Sequence, residues 1–170
     1  VLPATFHHYH PYHRVIVFAE FLAIGAVIMC MLFIVVDMGQ PQRVMNVILH
    51  PTPNSVMFWD CTVLSGYLFL NAIIGWTSLE HESRHVPVPK WVKVLVVVSI
   101  FWAFSIHTVT AFLYAGLPGR HYWLSAIMAA RFLASAFCAG PALLLLALLL
   151  LKRLTGFAPG KDVVKSLSIT

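Results

Sequence analysis

Charge is scarce in this 170-residue sequence: 10% of its residues are Asp, Glu, Lys or Arg, while 60% are hydrophobic. Mean hydropathy is +0.86. A soluble domain carries about a quarter charged residues to keep its surface wet, so a water-facing globule is excluded and the surface must face lipid. Cysteine is also sparse. Cys30, Cys61 and Cys138 all lie inside apolar runs and none belongs to a C-x-x-C pair, which argues against a disulfide framework and an iron–sulfur site. They read as small apolar side chains. The runs lack the apolar–polar alternation of a strand barrel. The chain starts at Val1 without a recognisable signal peptide and cleavage site, and reads as a mature chain or a piece of a longer one.

What is present is length. Four apolar stretches, at about 15–36, 56–79, 91–115 and 122–151, each exceed the roughly 20 residues that a helix needs to cross a hydrocarbon core of about 30 Å. The expected fold is an all-α integral membrane bundle of about four transmembrane helices, with residues 1–170 forming a single transmembrane domain. Basic residues set the orientation. With four spans, one side holds Arg14, Arg84, Lys90, Lys93, Lys152, Arg153, Lys161 and Lys165, and the other Arg43 and Arg120. Both ends of the segment are therefore expected on the cytoplasmic side of an inner membrane, bacterial or archaeal, with the first and third loops outward. Trp59 and Trp123 fall at outer boundaries and Trp76 and Trp91 near inner ones, where amphipathic rings favour the headgroups; Trp102 lies deeper.

The net formal charge of +5 fits attraction to anionic lipid rather than nucleic acid, since no basic stripe alternates with aromatics. The histidines at the start, His7, His8, His10 and His13, read as a polar approach to the membrane. Pro3 and Pro11 interrupt them and no carboxylate or cysteine completes a metal-ligand set. No metal site is expected.

Ionisable residues within the spans carry most information, because each is costly when it faces lipid. Asp37 ends the first span and Asp60 begins the second, both on the outer side. His107 lies about two turns inside the outer end of the third. Counting about 20 residues back from Leu151 puts Arg131 near the same boundary. The four are expected to meet at one level, with Arg43 and His50 from the first loop and Arg120 and His121 from the third. Helical spacing aligns Asp60, Leu64, Tyr67, Asn71, Gly75 and Ser78 on one face, Ser99, Ala103, His107, Thr110 and Tyr114 on another, and Arg131, Ser135, Cys138 and Ala142 on a third. Such small and polar stripes should face other helices. Plain packing is an equally good account of Tyr67, Asn71, Ser99, Thr110 and Ser135, and an Asp60–Arg131 pair could be structural. Glu20 stands apart near the inner boundary, either reaching toward headgroups or receiving protons. Pro41 is placed to start a short interfacial segment in the first outer loop, with Val44, Met45, Ile48 and Leu49 on its apolar side, lying as a lid over the outer cluster. Gly140–Pro141 should kink the fourth helix.

The segments Asp37-Met-Gly-Gln-Pro-Gln-Arg43, Leu49-His-Pro-Thr-Pro-Asn-Ser55, Met57-Phe-Trp-Asp60 and Ser65-Gly-Tyr67 resemble the NrfD-like family. That family includes the membrane subunit of polysulfide reductase and large membrane subunits of alternative complex III. Ser105-Ile-His-Thr-Val-Thr-Ala-Phe-Leu-Tyr114, Gly116-Leu-Pro-Gly-Arg120 and Ala130-Arg-Phe132 continue the resemblance, which looks closest to members of sulfite-reduction-linked redox complexes. It implies a longer subunit of eight or more spans and a heme-free quinone or menaquinone site near the outer face, with no iron–sulfur cluster in this chain. It also implies electron exchange with a docked ferredoxin-type iron–sulfur subunit, other membrane subunits and c-type cytochromes as partners, and, in some members, proton translocation. By motif, the implied functional residues are Asp37, Arg43, His50, Asp60, Tyr67, His107, Arg120 and Arg131. Gln40 and Gln42 replace an Arg and an Asp of the usual motif, which removes charge there.

Quinone chemistry needs an apolar slot, donors for two carbonyl oxygens and a relay for two protons. His107 suits donor and relay roles, Asp60 can pass a proton, and Arg131 can balance charge. A b-type cytochrome would need two facing histidines at similar depth, and only His107 lies well inside a span. A purely structural anchor for a redox complex is the other alternative. A transporter lacks its usual paired broken helices.

Overall fold

Because lipid offers no hydrogen bonds, an apolar run crossing a membrane must satisfy its backbone internally, and here each of the four runs does so as a helix. The computed structural model describes residues 13–84, 86, 88–156 and 164. Most of the histidine-rich start lies outside them. The long helices are α1 (His13–Asp37), α3 (Val56–Arg84), α4 (Lys90–Ala115) and α5 (Met128–Thr155), with a short α2 (Met45–Leu49) between α1 and α3. All four long helices have the length and apolarity to cross a membrane. The expected all-α membrane bundle is what the chain forms.

Two boundaries differ from the sequence reading. Helix α3 runs on to Arg84, taking in the polar Glu80, His81 and Glu82, and its last turn carries the Glu80–Arg84 ion pair at 2.8 Å. Helix α5 begins at Met128 rather than near residue 122; His121–Trp123 form a 3-10 turn, tied by the Trp123 N–H donating to the Arg120 carbonyl. Pro141 sits within α5.

Helix α3 packs between α1 and α4, and α4 also packs on α5. The ring closes through Val15 and Leu148, buried together with Phe18 and Leu144 beside them. A second core joins Ile74 of α3 to Val92 and Val96 of α4. At the α3–α4 crossing, Trp102 lies close against Gly66: a Cβ placed on that glycine would be 2.5 Å from Trp102 Cζ2. The indole Nε1 donates to the Val63 carbonyl at 2.8 Å, which explains a tryptophan so far from either membrane boundary. Outward surfaces are apolar, with Phe33, Phe69, Trp76, Phe101 and Leu146 all well exposed, as lipid contact requires.

Hydroxyls inside the spans mostly bond to their own helix. Thr62, Thr77, Ser99, Ser105 and Thr108 each donate to a carbonyl three or four residues back, which satisfies them without a partner helix. Thr110 bonds instead to a side chain on another helix.

Candidate functional site

The polar stripe on α3 faces inward as its spacing predicts. Asp60, Leu64, Asn71, Gly75 and Ser78 are all buried. Between the four long helices lies a cavity of about 320 Å³, within the range of small-molecule pockets. Its walls are mainly apolar: Ile74 of α3, Val96 and Phe104 of α4, Leu133, Phe137 and Pro141 of α5. Its polar lining is Glu20 from α1, Tyr67 and Asn71 from α3, and Ser99 and His107 from α4. At about 1.5 Å per residue, Ser99 and His107 are roughly 12 Å apart along α4, so the cavity is elongated along the bundle. The Asn71 side-chain amide donates to the Tyr67 carbonyl at 2.8 Å, which fixes its rotamer in the wall.

One turn beyond His107, Thr110 Oγ1 donates to Asp60 Oδ1 at 2.7 Å. Asp60 is only 6% exposed. A hydrogen bond to a carboxylate is worth about 1.5–3 kcal/mol net, enough to offset part of its burial. Because Thr110 and His107 are three residues apart, they share a face of α4. The polar series Asp60, Thr110, His107 thus leads from the end of the bundle bearing loops 38–55 and 116–127, here termed the loop face, to the cavity.

The remaining expected site residues do not join it. Arg131 is exposed, donates from Nη2 to Tyr122 Oη at 2.9 Å and lies over the Tyr122 ring. The expected Asp60–Arg131 pair is replaced by Asp60–Thr110 and Arg131–Tyr122. Arg120 sits over the Trp123 ring, 5.1 Å from its centroid, and Trp123 meets Tyr114 edge-on. Asp37, Arg43 and His50 are exposed, and so is His121. The 3-10 turn Pro41–Val44 contacts α1, and Met45, Ile48 and Leu49 of α2 are exposed.

The stripe read on the fourth span points the wrong way. Arg131, Ser135, Cys138 and Ala142 are all exposed, while Leu133, Pro141, Leu144 and Leu148 face inward and the largely exposed Phe137 borders the cavity. The two rows are offset by two residues, about 200° around a helix. Bulky apolar packing against α4 and α1 sets the phase. Glu20 is 5% exposed and lines the cavity. Among the described residues, no group of three or more His, Cys, Asp or Glu side chains is placed to hold a metal ion.

The family described as "Polysulphide reductase, NrfD" matches residues 1–170. Among curated proteins, the chain is similar to a proposed dimethyl sulfoxide reductase membrane protein of Halobacterium salinarum, 28% identical over 86% of this chain and 37% of the relative. It is similar to a component of the selenate reductase of Mesobacillus selenatarsenatis, 24% identical over 79% of this chain and 39% of the relative. A third is the Hdr-like menaquinol oxidoreductase integral membrane subunit of Archaeoglobus fulgidus, 24% identical over 75% of this chain and 31% of the relative. The chain therefore spans less than two fifths of the length of each of these. No solved structure matches it.

Proposed function

This chain belongs to the polysulphide reductase (NrfD) family, and on that premise we propose that its bundle binds the quinone or menaquinone headgroup of a multi-subunit respiratory oxidoreductase. The cavity carries the reading. It combines an apolar slot with a few fixed polar groups at different heights, which is what a flat, two-carbonyl ring on a hydrophobic tail requires. The name of one relative, a menaquinol oxidoreductase membrane subunit, supports the same substrate class.

In this reading, His107 donates to one quinone oxygen and exchanges a proton with it. Tyr67 bounds the ring on the α3 side. Asp60, through Thr110 and His107, connects the site to water at the loop face. That face is assigned to the periplasm by the eight-to-three bias of basic residues, and both ends of the segment to the cytoplasm. The exposed Arg43, Arg120 and Arg131, with Asp37 and His50, form the rim where a ferredoxin-type iron–sulfur subunit docks and exchanges electrons. Polar groups at several depths in the bundle are the basis for assigning proton translocation to it.

A titration of the intact complex with a quinol analogue, followed by tryptophan fluorescence, tests the site. Saturable quenching is expected in wild type, with His107→Ala weakening the affinity about tenfold, the loss of one well-placed hydrogen bond to the ligand. Equal binding by both proteins, or none by either, makes this chain an anchor and moves the quinone to a neighbouring subunit.

A further inference from the structure

Glu20 is the cavity's single acidic lining residue, and the quinone reading gives it no task. It enters from α1 about 10 Å from the start of that helix, at the end of the cavity remote from the loop face. Gly75 on α3 makes the space for it. A Cβ built on Gly75 would stand 3.8 Å from Glu20 Cβ and 3.3 Å from Ile24 Cδ1, so α1 and α3 approach closely with the carboxyl directed between them. A glutamate there only to reach the headgroups would lie in the interface; this one is buried and lines the cavity. The titratable groups sharing that space are Tyr67 from α3 and His107 from α4, while α5 contributes only apolar walls. Asp60 and Glu20, the buried acidic residues among those described, thus bracket the cavity from opposite ends.

Resting on the quinone reading, we propose that Glu20 is the second proton-exchanging residue of the cavity, linking the end of the site remote from His107 to the far side of the membrane. Reduction of a quinone consumes two electrons, delivered singly from an iron–sulfur cluster of the docked subunit, and two protons. One proton leaves the Glu20 carboxyl and moves along the cavity past Asn71 and Tyr67 to form an O–H bond on the quinone oxygen remote from His107. The carboxylate left behind is reprotonated from water on the side where α1 begins. The other proton passes through His107 and is replaced from the loop face by way of Asp60. Quinol oxidation runs each transfer in reverse.

The test uses the complete complex with its full-length membrane subunit. Glu20→Gln keeps shape and hydrogen bonding but not the exchangeable proton. It should lower quinol turnover about a hundredfold, in the range of lost general acid–base catalysis, with quinol-analogue affinity within about twofold. The redox-induced infrared difference spectrum should lose a carboxyl band, a change that a merely structural role would not produce. In wild type, dicyclohexylcarbodiimide should modify Glu20, and the quinol analogue should protect it. Wild-type turnover and an unchanged spectrum in Glu20→Gln, or the absence of a protectable adduct, overturn the proposal while leaving the quinone site standing. Failure of the wild-type complex to bind the analogue removes the site and the proposal together.

Discussion

Asp60→Asn is expected to reduce quinol turnover of the assembled complex by about a hundredfold or more, the scale of losing a positioned proton carrier. The substitution is nearly isosteric, and its amide oxygen still accepts the Thr110 hydroxyl that lies 2.7 Å from Asp60 Oδ1. Packing between α3 and α4 is therefore retained and the complex should assemble normally. What disappears is a group that can release and rebind a proton at the loop-face end of the Asp60, Thr110, His107 series. Thr110→Val provides the contrast. It removes the hydrogen bond without removing the carboxyl, so a loss nearer tenfold is expected, in line with one hydrogen bond to a charged group. Steady-state turnover on purified complexes with matched subunit content measures both. Wild-type turnover in Asp60→Asn would take this residue out of the mechanism.

Gly66→Val should destabilise the chain more than any exchange on its lipid-facing surface, by about 2–3 kcal/mol from overpacking. The first added carbon alone falls 2.5 Å from Trp102 Cζ2. The obstruction is a rigid ring held by its Nε1–H bond to the Val63 carbonyl, not the mobile end of a flexible side chain. Either the indole leaves that bond or α3 and α4 separate. Thermal unfolding in detergent should show a clear drop in midpoint for Gly66→Val, and Trp102→Ala in the same background should recover part of it by vacating the space. An unchanged midpoint in Gly66→Val would mean that the two helices do not meet through this contact.

The existence and type of the long helices are legible because apolar runs of more than 20 residues admit few alternatives. The inward face of α3 is legible too, since this helix is packed on two sides and its polar and small residues have to share the buried strip. The phase of α5 is not. Arg131, Ser135, Cys138 and Ala142 form an aligned row, but small and polar residues mark a helix contact only where a helix is present to contact. The neighbours in this bundle engage Leu133, Phe137, Leu144 and Leu148 instead. The place of Glu20 is hidden for a related reason: α1 is apolar all round, so nothing in its periodicity tells which side faces the bundle. A meeting of Asp37, Asp60, His107 and Arg131 rests on depth alone. Depth places residues on a common level, whereas rotation about each helix axis decides whether they touch, and Arg131 turns toward Tyr122.

The order of packing has a consequence for biogenesis. As the polypeptide emerges, α3 and α4 can pair immediately, being neighbours in sequence joined by a short connection, and α1 can settle on α3 from its other side. The cavity, however, needs Leu133, Ala136, Phe137 and Pro141 for one wall, and the Val15–Leu148 contact closes the ring only when α5 arrives. Until α5 inserts, Glu20 and His107 border an open groove accessible to lipid tails. The slot is thus completed only by the fourth of these long helices, and a ribosome stalled before α5 clears the exit site would leave three inserted helices with their hydrogen bonds across the α3–α4 contact but no wall to close the cavity.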